Sequence, residues 1–536
     1  MFHFLLTIEH LAVLLLFWTW LIAATAHRSW RLRLPVLGVV LLLLLGWTGL
    51  LAGGWIFLAT LYPPLRATAI ATPLLLFVGF LIGSVAIWIR GRRSADHQFG
   101  ASDWPTRRIA LVLAIAVGVH FVTWANLDAA VQKEITALRA EAYHMAASVA
   151  PVQVSDRENA APIYQEIFDA WGAGEWSKAW PNWNEWNFEK IDVQSKEVQE
   201  FLAARRHFVD RLRQAAVIPQ CRFEHEYYRP APDIILPEIQ SMRDASRLLS
   251  LDAMSHFAAG RIEEAIKDLD AMWSIADHAA SQPFLVSLLV GLGIEKSAIS
   301  TLEWGMGQGD WKGRKLPMLA MEKGGMAARL RLHRALAFEE CMGILMCCDA
   351  AQGQGILWDP YLGLGNPGAG YAFTAAYRVF PFFAQDVALY RQKMRKLRQN
   401  AETLPVRPFL KEIKADADEP QALGLIPRYV VPMGHALRNA LQAEIPRETV
   451  RLGVQAFRYE LKHGKSPAKL DDLIPEFIAV VPRDPFSKET YRFIPAKDGQ
   501  PWIVYSIGTD GIDNGGSRIE AGDSGDIVVS PRRKKE

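Results

Sequence analysis

The chain has no CxxC pair, and its four cysteines (Cys221, Cys341, Cys347 and Cys348) have no histidines beside them at zinc-finger spacing. That excludes a structural zinc finger. Cys341 and Cys348 stand two helical turns apart in an apolar run and read as buried thiols. A disulfide from Cys221 to one of them stays open if this part of the chain lies outside the cytoplasm. Nucleotide and hydrolase signatures are missing as well. Gly291-Leu-Gly-Ile-Glu-Lys-Ser297 lacks the glycine before its lysine, Gly464-Lys465-Ser466 lacks the first glycine of a phosphate loop, and neither HExxH nor GxSxG occurs. Charge of one sign is also scarce. With 59 Lys and Arg against 57 Asp and Glu, the net charge is +2, too balanced for a surface that covers phosphates, and nucleic acid is excluded as the main partner.

What the chain does have is apolar length: half of its 536 residues are hydrophobic. Long apolar runs at about Phe4 to Ala26, Leu34 to Leu61, Ala69 to Ile89 and Ile109 to Trp124 are each near the length of a membrane-crossing helix. Ala24-Thr25-Ala26 looks like a signal-cleavage site, but no Lys or Arg precedes the first run and three more follow, so the first is expected to stay as a span. Arg28, Arg31 and Arg33 follow the first run, and Arg90, Arg92, Arg93, Arg107 and Arg108 lie between the third and fourth. Between the second and third there is only Arg66. The positive-inside rule puts the two basic loops in the cytoplasm, and both termini and the large soluble region on the other side of a bacterial inner membrane. The lipid bilayer is then the first partner, and residues 1–126 form a four-span domain. Glu9, His10 and His120 read as interfacial or packing residues rather than as a transport path.

Residues 127–440 read as an extracytoplasmic α-helical domain that begins as a stalk. Leu127, Val131, Ile135, Leu138 and Ala142 recur at helical spacing, and no proline interrupts before Pro151. Ile239, Met242, Leu249, Ala253 and Phe257 mark one helix face, Gly260 a stop, and Ile262 through Ala276 a second helix. This predicts an antiparallel hairpin of tetratricopeptide type, although no second copy at a period of 34 residues follows, so the domain is irregular. Phe284 to Ile294 is apolar throughout and predicts a buried core helix of about three turns. Trp171, Trp176, Trp180, Trp183 and Trp186 crowd one polar stretch. The indoles either pin the loop to the body or form a binding surface, and the candidate binding residues are Trp176, Trp180, Trp183 and Trp186. Glu339 and Glu340 with His333 are a weak candidate for acid catalysis, with pairing to Arg334 the blander reading. Cys221, Glu224, His225 and Glu226 read as packing rather than as metal ligands.

Residues 441–536 carry the most specific pattern. Arg447 to His463 predicts a helix closed by Gly464, Leu470-Asp-Asp-Leu473 a short helix, and Arg492 to Ile494 and Trp502 to Ser506 strands. The ordered motifs His463-Gly-Lys-Ser-Pro467, Val481-Pro-Arg-Asp-Pro-Phe486, Tyr505-Ser-Ile-Gly-Thr-Asp-Gly511 and Gly525-Asp526-Ile527 resemble the globular part of the major pseudopilin of type II secretion systems. The resemblance implies a small α+β module and a calcium loop with Asp510 and Asp526 as ligands. Asp513 and Asp523 cluster among the same glycines as further oxygen donors. Phe486-Ser487 stands where that family has Trp-Gly, and the basic leader and single polymerising helix are missing, so a pilus subunit is not expected. The whole chain also looks like membrane-anchored envelope proteins of planctomycete-type bacteria. Together these readings predict a mainly α chain in three parts: a transmembrane four-helix region, an irregular helical domain and a pseudopilin-like end. They favour a non-enzymatic envelope protein with an envelope protein partner, possessing a secretion-type or assembly role. The alternative is an extracytoplasmic hydrolase of cell-wall polymer.

Overall fold

The computed structural model describes residues 129–172, 191–228, 234–319, 328–352, 382–403, 444–487, 489–508, 510–517 and 525–532, with 321, 408, 409 and 411 besides. The four apolar runs, Trp176, Trp180, Trp183, Trp186 and Asp523 lie outside these residues. The described chain is mainly helical, with one small antiparallel sheet. It falls into two compact units. The larger comprises Ala140–Leu345, Tyr390–Pro420 and Val430–Glu536; the smaller takes the described parts of Met1–Arg139 and Met346–Leu389.

A helix over residues 129–149 (α1) ends just before Pro151, as the bar on helical backbone ahead of proline requires. Ile135, Leu138 and Ala142 form its buried stripe. Then follow α2 (Ala161–Gly172), α3 (Lys196–Ala204), α4 (Arg206–Ala216), α5 (Pro237–Ala258), α6 (Ile262–Ser281) and α7 (Leu285–Gln308). The last helices are α8 (Ala328–Gln352), α9 (Phe382–Thr403) and α10 (Glu444–His463).

The hairpin expected from periodicity is α5 and α6. Proline suits the first helical position because its missing N–H has no intrahelical partner there, and Pro237 opens α5. Gly260 closes it at φ +69°, a left-handed conformation that costs glycine nothing. Ile239, Met242, Leu249, Ala253 and Phe257 of α5 are all buried, as are Ile262, Ala265, Ile266, Leu269, Met272 and Ala276 of α6. Helix α7 packs on both members of the pair. It runs 24 residues, twice the expected length, because Glu295 and Glu303 interrupt the apolar run in sequence yet are buried and paired in the fold. Among the described residues α7 is the one helix long and apolar enough to cross a membrane, and most of it is buried in this helical body. Gly305 lets it approach α5: a Cβ there would overlap the Phe257 ring.

The C-terminal elements are a 3-10 turn (Leu470–Leu473) and strands β1 (Arg492–Ile494), β2 (Ile503–Ser506) and β3 (Ile527–Val529), ordered β1-β2-β3 and antiparallel throughout. The strand β3 was not legible from alternation. Fully buried Trp502 stacks on Phe493 at 6.3 Å and donates from Nε1 to Glu460 of α10 at 2.7 Å. One face of α10 therefore lies on the sheet, so close that a Cβ at Gly453 would reach Val529 Cγ1 at 2.7 Å. Another face lies on the helical body. Phe457 meets Trp311 edge-to-face at 5.0 Å, and Arg458 Nε donates to the Leu316 carbonyl at 3.1 Å. The sheet and the helical body consequently share one hydrophobic core.

Candidate functional site

Asp484, from the Val481–Phe486 motif, ties that motif to the Tyr505–Gly511 motif. Its buried carboxylate accepts from Ser506 Oγ at 2.8 Å and from the N–H groups of Phe486 (2.9 Å) and Ile507 (3.2 Å). Sequence reasoning quoted this residue within a motif without giving it a role; a lone aspartate between two prolines was the available signal.

The acidic loop begins where β2 ends. Asp510 Oδ1 accepts from Ile512 N–H at 3.0 Å and its Oδ2 from Gly525 N–H at 2.8 Å, which brings the two legs of the loop together. Asp526, at the base of the second leg, accepts from Asn514 N–H (3.3 Å) and Gly516 N–H (2.7 Å). Burial pushes its carboxyl up, and these N–H groups oppose the shift. Asp513 faces a cation already present: Arg492 Nε donates to its Oδ2 at 2.9 Å, and Gly515 N–H and Tyr505 O–H to its Oδ1.

A carboxylate offers about four lone-pair sites. Asp510 spends two of them on backbone N–H groups and Asp526 three, those of Asn514, Gly516 and Ser517, which leaves fewer free at Asp526. Carboxylate oxygen is the donor type that calcium takes. Asp513 is engaged by Arg492 and fits less well.

The structure also gathers a cluster that the sequence did not announce. Asp252 and His256, one turn apart on α5, meet Asp268 on α6, all three buried and with ligand atoms within 4.8 Å of one another. The surrounding charges decide what this cluster is. Arg206 grips Asp252 with two bonds of 2.7 Å, while Arg213 Nε and NH1 reach Asp268 and Glu264 at 2.7 Å each. Arg261 Nε donates to His256 Nδ1 at 2.7 Å. A metal-bound imidazole uses its second ring nitrogen as a donor, and here that nitrogen must accept from a guanidinium. The neutral ring therefore carries its proton on Nε2, which lies 3.3 Å from Asp252 Oδ2. Arginines tie the cluster into a network between α4, α5 and α6, although Asp268 Oδ2 and His256 Nε2 lack a well-formed hydrogen bond; with its Nδ1 accepting from Arg261, the ring fits a metal poorly.

The weaker catalytic candidates are occupied as well. Glu340 pairs with Arg398 at 2.9 Å rather than with Arg334, which donates to the Val149 carbonyl. Glu339 accepts from Leu285 N–H at 3.3 Å, and burial pushes its carboxyl up. His225 bonds Glu238 at 2.9 Å, and all four cysteines are buried free thiols, so no disulfide from Cys221 forms. Trp171, the one described member of the tryptophan group, packs on Phe168 and Phe208 in the core. No family model, curated protein or solved structure matches the chain.

Proposed function

We propose that this chain is a non-enzymatic, membrane-anchored envelope protein. In this reading the residue 1–126 spans hold it in the bacterial inner membrane, and both termini and the soluble region are extracytoplasmic. A helical body of tetratricopeptide-like packing presents a pseudopilin-like head whose Asp510–Asp526 loop takes calcium, in an envelope or secretion-type assembly with a protein partner.

The observation that carries the reading is the double role of α10. In a pilin-type subunit the long helix polymerises; here α10 has the sheet on one face and Trp311, Leu316 and Glu295 of the helical body against another. That favours a fixed head over a filament subunit. The pairing of Glu340 with Arg398 favours it over the cell-wall hydrolase.

A thermal melt of the full chain in detergent, with calcium and with chelator, tests the calcium part. Free calcium at a hundred times its Kd adds about 2.7 kcal/mol to the state that binds it. A rise in Tm with calcium that disappears in both Asp510→Ala and Asp526→Ala is expected. Equal melts with calcium and chelator would overturn it.

A further inference from the structure

We propose that α7 carries a receptor for the chain's own tail, and that Ser530–Arg532 act as a strap whose closure holds β3 in the sheet. The inference stands without the calcium reading, because it rests on contacts outside the acidic loop.

Beyond β3 the backbone leaves the sheet and lies along α7. Ser530 N–H donates to Glu303 Oε1 at 3.1 Å, and Arg532 Nε donates to Glu303 Oε2 at 3.2 Å. The Arg532 N–H reaches the Glu303 carbonyl at 2.9 Å, and Gln308 Nε2 reaches the Arg532 carbonyl at 3.0 Å. Glu303 is buried in an apolar helix, where a carboxylate is tolerated only with close donors and a countercharge. The tail supplies both.

Gly307 completes the receptor by what it lacks. A Cβ at this position would fall on the backbone of Arg532, which cannot yield as a flexible side chain does. Glycine is otherwise a poor residue inside a helix. Its use where the tail crosses is accounted for by the crossing itself. The strap also reaches the acidic loop: β3 is three residues long, so Asp526 at one end and Ser530 at the other are held by the same short strand.

The test compares two glycine replacements in the same helix. Gly293 is exposed, and a Cβ there would meet nothing within 4 Å. Gly293→Ala controls for removal of a glycine from α7, and only Gly307→Ala evicts the tail. Amide exchange is measured on the full chain at Ile527–Ser530, with α5 and α6 as internal reference. At least a tenfold faster exchange of the tail in Gly307→Ala, with wild-type exchange in Gly293→Ala, is expected. Wild-type protection of the tail in Gly307→Ala overturns the proposal. Should Gly307→Ala lose protection throughout, Arg532→Ala, which leaves α7 intact, decides: faster tail exchange supports the strap, and unchanged exchange overturns it.

Discussion

Replacing Asp268 by asparagine should make the protein relatively more stable as the pH rises. The Asp268 carboxyl is fully buried where α4, α5 and α6 meet, with Arg213 on one oxygen and Asp252 beside it. Arg206, His256 and Glu264 lie around the pair, with Arg261 on His256 and Lys267 on Glu264. Burial first, and the Asp252 charge second, hold the protonated form well above the ordinary aspartate range. Asp252 goes the other way. Burial works against its charge, but the bonds from His256 and Arg206 more than offset that and hold it down to about 2. With Asp268 neutral, Arg206 and Arg213 face the carboxylates of Asp252 and Glu264, with Arg261 and Lys267 besides.

The sign follows from proton counting. Unfolded, Asp268 loses its proton near 3.8; folded, it keeps it to higher pH. Across that window rising pH favours the unfolded chain, by up to about 1.4 kcal/mol per pH unit. Asparagine presents a neutral donor in the same place and removes this linkage. As the pH rises through the window between the unfolded and folded titrations, Asp268→Asn should therefore gain stability relative to the parent. Taking the difference between variant and parent cancels His278. Burial holds that ring down to about 4, so its contribution is full above 6.5 and is lost as the pH falls toward 4. Urea unfolding of the full chain at pH 5, 6 and 7 measures the difference, with Asp252→Asn as the contrast. Stripping the charge that Arg206 grips should cost roughly 3–5 kcal/mol at each pH. If Asp268→Asn is as damaging as Asp252→Asn and its deficit does not change with pH, Asp268 is ionised in the fold and the reasoning fails.

Trp502→Ala should cost roughly 3–5 kcal/mol, since it empties a fully buried site between α10 and the sheet and leaves Glu460 without its indole donor; denaturant melts of the full chain check this. The four thiols should stay unlabelled by a thiol-specific reagent at pH 8 until the chain is denatured, because all are buried and the Cys341 and Cys348 thiols are pushed up to about 12. Labelling of any of them at native protection of α5–α7 would contradict their placement.

Periodicity found the elements whose faces sort cleanly. In α5, α6 and α10 the apolar residues recur every three or four positions, and a glycine at positive φ ends α5 and α10, so local spacing alone carries the information. It underestimated α7, where Glu295 and Glu303 look like surface residues. Their partners, Arg447 and Arg532, stand 152 and 229 residues away, and no local pattern encodes a countercharge at that distance. The network of Asp252, His256 and Asp268 was invisible for the same reason. The strand β3 is three residues long and takes its place from β2 and α10 rather than from alternation. At the acidic loop the sequence found the aspartates by motif. That Asp513 serves Arg492 while Asp510 joins the two legs depends on backbone turns that composition does not specify.

The two buried glutamates of α7 explain why head and body act as one piece. Glu295 binds Arg447 at the start of α10, and Glu303 binds Arg532 past the end of β3. These positions are eight residues, or about two turns, apart on one helix, so α7 holds the head by both its first and its last element. The β-sheet lies between them and has only three short strands, too few to stand alone without packing against a helix. A free pilin-like subunit would need those ends unengaged. Here the same ends supply the charges that allow a buried helix to carry glutamates, so detaching the head would leave Glu295 and Glu303 buried without their arginines. That cost, several kcal/mol for each orphaned charge, is what argues that the acidic loop is displayed from a fixed platform rather than from a mobile domain.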